Sequence, residues 1–81
     1  MEIRILGGGC ARCKTLEQNV FQAAAKLNIP ADIQAITDII EISKYGVMST
    51  PALVINGKVK TVGKVPNVAQ VIELIREEMQ Q

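Results

Sequence analysis

Between Leu6 and Cys10 the hydrophobic period of the chain changes, and a run of glycine, Gly7 to Gly9, marks the change. Before it, EIRIL (residues 2–6) alternates weakly and is rich in Ile and Leu, which predicts a strand. After it, Cys13, Leu16, Val20, Ala24 and Leu27 recur at spacings of three and four, with Phe21 beside them. That pattern predicts one face of a helix of about four to five turns. Arg12, Lys14, Glu17, Gln18, Gln22 and Lys26 lie off the face. A strand, a glycine turn and a long helix are thereby fixed at the start of the chain. Its two cysteines, Cys10 and Cys13, both fall at the junction.

The remaining segments follow by the same reading. Asn28 can end the helix, and Pro30 prevents its continuing. ADIQAI (31–36) predicts a buried strand, with Ile33 and Ile36 out of strict phase. In TDIIEISKYG (37–46), Asp38 and Glu41 form a capping box that opens a short helix, which Gly46 closes. MSTPALVINGKVKTV (48–62) predicts a hairpin, because Asn56-Gly57 tolerates the positive φ of a tight primed turn. Only KVKTV alternates polar and apolar residues, so it is expected at the sheet edge, with Lys58 and Lys60 discouraging association there. Asn67, three residues before Gln70, predicts the cap of a last helix whose apolar stripe is Val68, Val71, Ile72, Ile75 and Met79. The final REEMQQ is expected to fray into solvent. The order is β-α-β-α-β-β-α in one domain, residues 1–81, without linker, repeat or low-complexity segment.

Composition narrows the function classes. A chain of 81 residues buries only about 60–65% of its unfolded surface. With one Phe, one Tyr and no Trp, its core must be aliphatic. Net charge is +1, from 9 basic and 8 acidic residues with no basic run, which leaves no electrostatic footprint for nucleic acid. No apolar run approaches the roughly 20 residues of a membrane span. The acid at position 2 and the short apolar stretch do not suit a signal peptide, so a cytoplasmic location is expected. Stable disulfides are uncommon there, and a cytosolic CxxC is more often catalytic or metal-binding. Histidine is absent, which removes Cys-His nucleophile pairs and mixed Cys/His zinc sites.

As a structural staple, a disulfide from Cys10 to Cys13 would close so short a loop that it would add little stability. Placed at a helix N-terminus, Cys10 meets N–H groups that have no internal partners and the positive end of the helix dipole. Both favour a thiolate, so the Cys10 pKa should fall below the free value of about 8.5, with Arg12 and Lys14 adding positive potential. Cys13 is in phase with Leu16, Val20 and Ala24 and faces inward. An exposed attacking thiolate with a shielded resolving thiol is the arrangement that two-step disulfide exchange needs. The bland alternative for Cys13 is a small apolar core residue.

GGGCARC between strand and helix, YGVMSTPALVINGKV leading into the hairpin, and TVGKVP before the last helix together span nearly the whole chain. In these it resembles the small thioredoxin-like redox-active disulfide proteins of archaea and bacteria. The resemblance implies a minimal thioredoxin-like α/β fold, a four-stranded mixed sheet with three helices. It implies a cis Pro51 beside the CxxC, with Thr50 and Pro51 lining a groove for an extended substrate, and Gly63 leaving room above the site. It further implies a dithiol–disulfide oxidoreductase, a monomer with no bound cofactor or metal. Its partners would be protein disulfides and a separate reductase of the thioredoxin-reductase type. The usual thioredoxin has Trp before the first cysteine and Gly-Pro between the two, where this chain has Gly9 and Ala11-Arg12. Two other readings stay open: a Cu(I)-type carrier using both thiolates, and a redox sensor that does not turn over.

Overall fold

The computed structural model describes residues 1–7 and 11–79. Across them run β1 (Glu2–Leu6), α1 (Ala11–Leu27), β2 (Asp32–Ile36), α2 (Ile39–Ser43), β3 (Ala52–Ile55), β4 (Lys58–Val62) and α3 (Val68–Met79). The four strands form one sheet in the order β2-β1-β3-β4. β1 is parallel to β2 and antiparallel to β3, and β3 is antiparallel to β4. The element order is the one the sequence predicts, and the mixed sheet with three helices is the architecture the resemblance implies.

Successive strand residues face opposite sides of a sheet, and the core divides accordingly. Ile3 and Ile5 of β1 join Leu53 and Ile55 of β3 beneath Leu16, Val20 and Ala23 of α1 and Val71 and Ile75 of α3. Leu6, Ala52 and Val54 point the other way and pack with Ile36, Ile42, Tyr45 and Val47. β3 is therefore covered on both faces, which is why ALVI is apolar at every position. The same division explains the phase of β2. Ile33 packs with the α1/α3 cluster and Ile36 with the α2 cluster, so each serves a different core. The expectation that β2 is buried does not hold. It lies at the sheet edge with β1 on one side only, and Ile33 and Ile36 are half-buried while its other residues are exposed. β4 forms the opposite edge, as expected.

Helix ends follow local chemistry. Asn28 takes φ +52°, and the bonds Asn28 N–H to Ala25 O (3.1 Å) and Ile29 N–H to Ala24 O (3.4 Å) close α1 in a Schellman motif. At α3 the box is reciprocal: Gln70 N–H donates to Asn67 Oδ1 (2.8 Å) and Asn67 N–H to Gln70 Oε1 (2.9 Å). At α2 it is half-formed, because Asp38 accepts from Ile40 N–H (2.8 Å) while Glu41 instead pairs with Lys44 (3.0 Å). Asn56 and Gly57 carry φ +51° and +82°, giving the primed hairpin turn.

Three packing expectations are corrected. Phe21 is half exposed rather than in the α1 seam, and Ala23 is fully buried in its place. Met79 is also half exposed; Glu78, in step with Val71 and Ile75, takes the inward position. Nor does the chain fray from Arg76 to Met79, which belong to α3; Gln80 and Gln81 of REEMQQ lie outside the described residues. The pairing of β3 with β4 shifts register after Leu53, leaving Lys60 as the extra residue of a bulge. The bulge aims Lys60 at α3, where its Nζ lies 3.2 Å from Glu77 Oε1 and 2.7 Å from Glu78 Oε2, with Lys58 Nζ 3.4 Å from Glu78 Oε1. A carboxylate can be buried there because two ammonium groups meet it.

Candidate functional site

Leu6 ends β1 in the core, and Gly7 extends the ladder by one bond, its N–H donating to Ile36 O at 2.8 Å. Gly7 has φ +112°, a conformation natural to glycine. Its position explains the requirement. A Cβ built on it would lie 2.8 Å from Thr50 Cβ, 3.1 Å from Cys13 Sγ and 3.3 Å from Thr50 Cγ2. The backbone of Gly7 thus fills the gap between the Cys13 sulfur and the Thr50 side chain. Cys13, in the first turn of α1, is 4% exposed and disulfide-bonded. The helical phase places it inward, as its spacing predicts.

Thr50 is joined to Pro51 by a cis peptide bond, as the resemblance implies. Thr50 is exposed and Pro51 is buried. Gly63, at φ +69°, sits against Ser49, where an added Cβ would approach Ser49 Cβ to 3.3 Å. Its N–H donates to Pro51 O at 2.8 Å. Its carbonyl accepts from Arg12 Nη2 at 2.7 Å. Arg12, a residue within CxxC, is therefore bonded to the loop after β4, and that loop to the proline. Of the sequence-predicted site residues, Cys13, Thr50, Pro51 and Gly63 converge at this end of the sheet. Cys10 and its expected lowered pKa lie outside the described residues.

Among the described residues, cavities flank the site on two sides. One, of about 430 Å³, opens between α2 and the segment before Pro51, lined by Gly7, Ile39, Ile42, Val47, Met48 and Thr50 among others. Ile39 and Met48 on its rim are 81% and 97% exposed. The other, of about 210 Å³, reaches Cys13 and is lined also by Gly7, Lys14, Glu17 and Thr37. Sequence reasoning missed Gly7 as a site residue, reading it as part of a flexible turn. It also missed the Arg12–Gly63 bond, which joins residues far apart in the chain. Among the described residues no three His, Cys, Asp or Glu side chains gather as metal ligands do. Nor is any described helix long and apolar enough to cross a membrane.

The sheet order, the buried sulfur at the start of α1 and the cis-proline segment beside it define a thioredoxin-like α/β protein. Comparison with known proteins agrees: residues 1–76 match the thioredoxin domain family. The chain is 32% identical over 75 residues to a thioredoxin of Methanothermobacter thermautotrophicus, covering 93% of this chain and 97% of that protein. It is 35% identical over 74 residues to a thioredoxin of Methanocaldococcus jannaschii, covering 91% and 85% respectively. The chain belongs to the thioredoxin domain family. The metal-carrier alternative is not favoured, since the family model and both of these relatives are thioredoxins.

Proposed function

We propose that the protein is a small dithiol–disulfide oxidoreductase that exchanges electrons with protein disulfides through a reversible Cys10–Cys13 bond. In the reduced form Cys10 attacks a partner disulfide as the thiolate. A Cys10–partner mixed disulfide forms and one partner sulfur leaves as a thiolate. Cys13 then gives up its proton and attacks the Cys10 sulfur. The Cys10–Cys13 disulfide closes, and the second partner sulfur leaves and is protonated. Two electrons have passed to the partner, and a separate reductase returns them. Thr50 and Pro51 line the groove along which an extended partner lies, and Gly63 keeps its far side open.

The observation that carries this reading is the placement of Cys13. Cys13 is disulfide-bonded and almost wholly covered, and its sulfur lies against the Gly7 backbone. A sulfur so shielded is poorly placed to start an exchange with a large partner and well placed to finish one. The relatives named thioredoxin support the same reading.

The test uses the two single variants. Cys10→Ser should abolish reduction of a protein disulfide such as insulin. Cys13→Ser should instead accumulate mixed disulfides, seen as higher-mass bands that a reductant removes. Normal turnover by Cys13→Ser would overturn the assigned roles, and failure of the unsubstituted protein to reduce any disulfide would overturn the reading.

A further inference from the structure

Met48 is 97% exposed, more than any other large apolar side chain among the described residues. Single apolar residues in water are ordinary on a protein surface, but Met48 does not stand alone. It shares the rim of the cavity of about 430 Å³ with Ile39, and Ile42 and Val47 continue the apolar wall toward Thr50. Among the described residues no charged side chain lines this cavity. Val47 packs into the core on the α2 side, and Met48 after it is left outside. Two residues further on comes Thr50 with its cis bond to Pro51. The cavity is therefore continuous with the groove assigned above to the disulfide partner, and its uncharged walls fit an apolar side chain of that partner. Methionine is flexible and polarizable, which suits a rim that must meet side chains of different shape.

The same exposure opens the thioether to oxidants. Met1 packs against the core, Met79 is half exposed at the end of α3, and Cys13 is covered. Oxidation to the sulfoxide turns a flexible apolar side chain into a polar one. An apolar partner group seated against it would then strip water from the sulfoxide oxygen and return no hydrogen bond. Resting on the oxidoreductase reading, we propose that Met48 is a site of reversible oxidation by hydroperoxides, which weakens binding of the disulfide partner. The thioether sulfur attacks one oxygen of hydrogen peroxide. The O–O bond breaks, the S–O bond forms, and the other oxygen leaves as water with both protons. Sulfur loses two electrons and the peroxide gains them. A methionine sulfoxide reductase returns two electrons and removes the oxygen as water. Under peroxide the protein thus keeps its dithiol chemistry and gives up affinity for its partner.

The test treats the protein with hydrogen peroxide while the cysteine pair is closed as the disulfide. Peptide mass mapping should show Met48 as the most heavily oxidised methionine. With dithiothreitol recharging the pair, KM for insulin should then rise about threefold or more with kcat little changed, the fold-change that losing roughly one methylene of apolar contact gives. Reaction with Ellman's disulfide, too small to span the groove, should keep its rate. Met48→Gln should show the raised KM before any peroxide is added. In Met48→Leu, treatment should leave KM at its own untreated value, although Met1 and Met79 remain oxidisable. The inference alone is overturned by a Met48 that resists peroxide, by an unchanged KM in the sulfoxide form or in Met48→Gln, by an equal rise in Met48→Leu, or by an equal loss with Ellman's disulfide. If the untreated protein reduced no insulin, the oxidoreductase reading would fall and this inference with it.

Discussion

Gly7 carries the tightest constraint at the scale of single residues. Its φ of +112° and the 2.8 and 3.1 Å approaches of Thr50 Cβ and Cys13 Sγ to a built Cβ act together. An L side chain there meets both an unfavourable backbone region and a crowded pocket. Gly7→Ala should therefore cost about 2–4 kcal/mol from the two effects combined, lowering Tm by roughly 10 °C or more for a domain of this size. Thermal unfolding followed by circular dichroism checks this; a loss under about 0.5 kcal/mol would mean that the backbone relaxes freely. Cys13 was legible in the sequence because burial on a helix is a matter of spacing along one element. The demand on Gly7 was not, because Thr50 approaches it from a distant part of the chain. The two glycines that follow it in sequence look the same by composition alone.

Individual elements show where local chemistry decides and where it does not. The end of α1 closes through backbone bonds around Asn28, and α3 is capped by the side chains of Asn67 and Gln70, all within a few residues of the helix ends, so these residues could be read directly. The inward face at the end of α3 could not, since burying Glu78 depends on Lys58 and Lys60 of β4. Lys60 Nζ comes within 2.7 Å of Glu78 Oε2, off the line of a good hydrogen bond, so charge holds the contact. The contact with Lys60 is the main reason the Glu78 carboxyl sits below its usual 4.5, with Lys58 adding to it and burial opposing it. A carboxyl depressed in the folded state stabilises the fold above its unfolded value and loses that contribution as pH falls through the folded value. The advantage of the parent protein over Glu78→Gln in urea unfolding should thus be largest near neutral pH and shrink as pH drops below about 4.5. Lys60 is shifted upward from 10.5, chiefly by Glu78, so its share persists at neutral pH and is lost only as pH rises through the raised value. An advantage that stayed constant on acidification would remove the ion pair from the account.

On the scale of the whole molecule, the radius of gyration of 11.5 Å is close to the roughly 11.7 Å expected for a chain of this length. What matters for function is how distant segments are tied at one end of the sheet. Arg12 donates to Gly63 O and Gly63 donates to Pro51 O, which links the start of α1 to the loop after β4 and to the proline segment. Arg12→Ala should free the Gly63 carbonyl and loosen that loop, so the Gly63 amide should exchange with solvent several-fold faster. Amide exchange followed by NMR reads this; an unchanged Gly63 would show that the loop holds without Arg12. The amino-acid sequence by itself determined the element order, the primed hairpin turn, the helix caps and the inward phase of Cys13. Each of these depends on backbone preference or periodicity within a short segment. Only the tertiary structure decided the exposed edge position of β2, the burial of Glu78, the crowding at Gly7, the Arg12 bond and the cavity that reaches Cys13. Each of these depends on which remote surfaces the sheet order brings together, and a contact between distant residues leaves no mark in the local pattern of either.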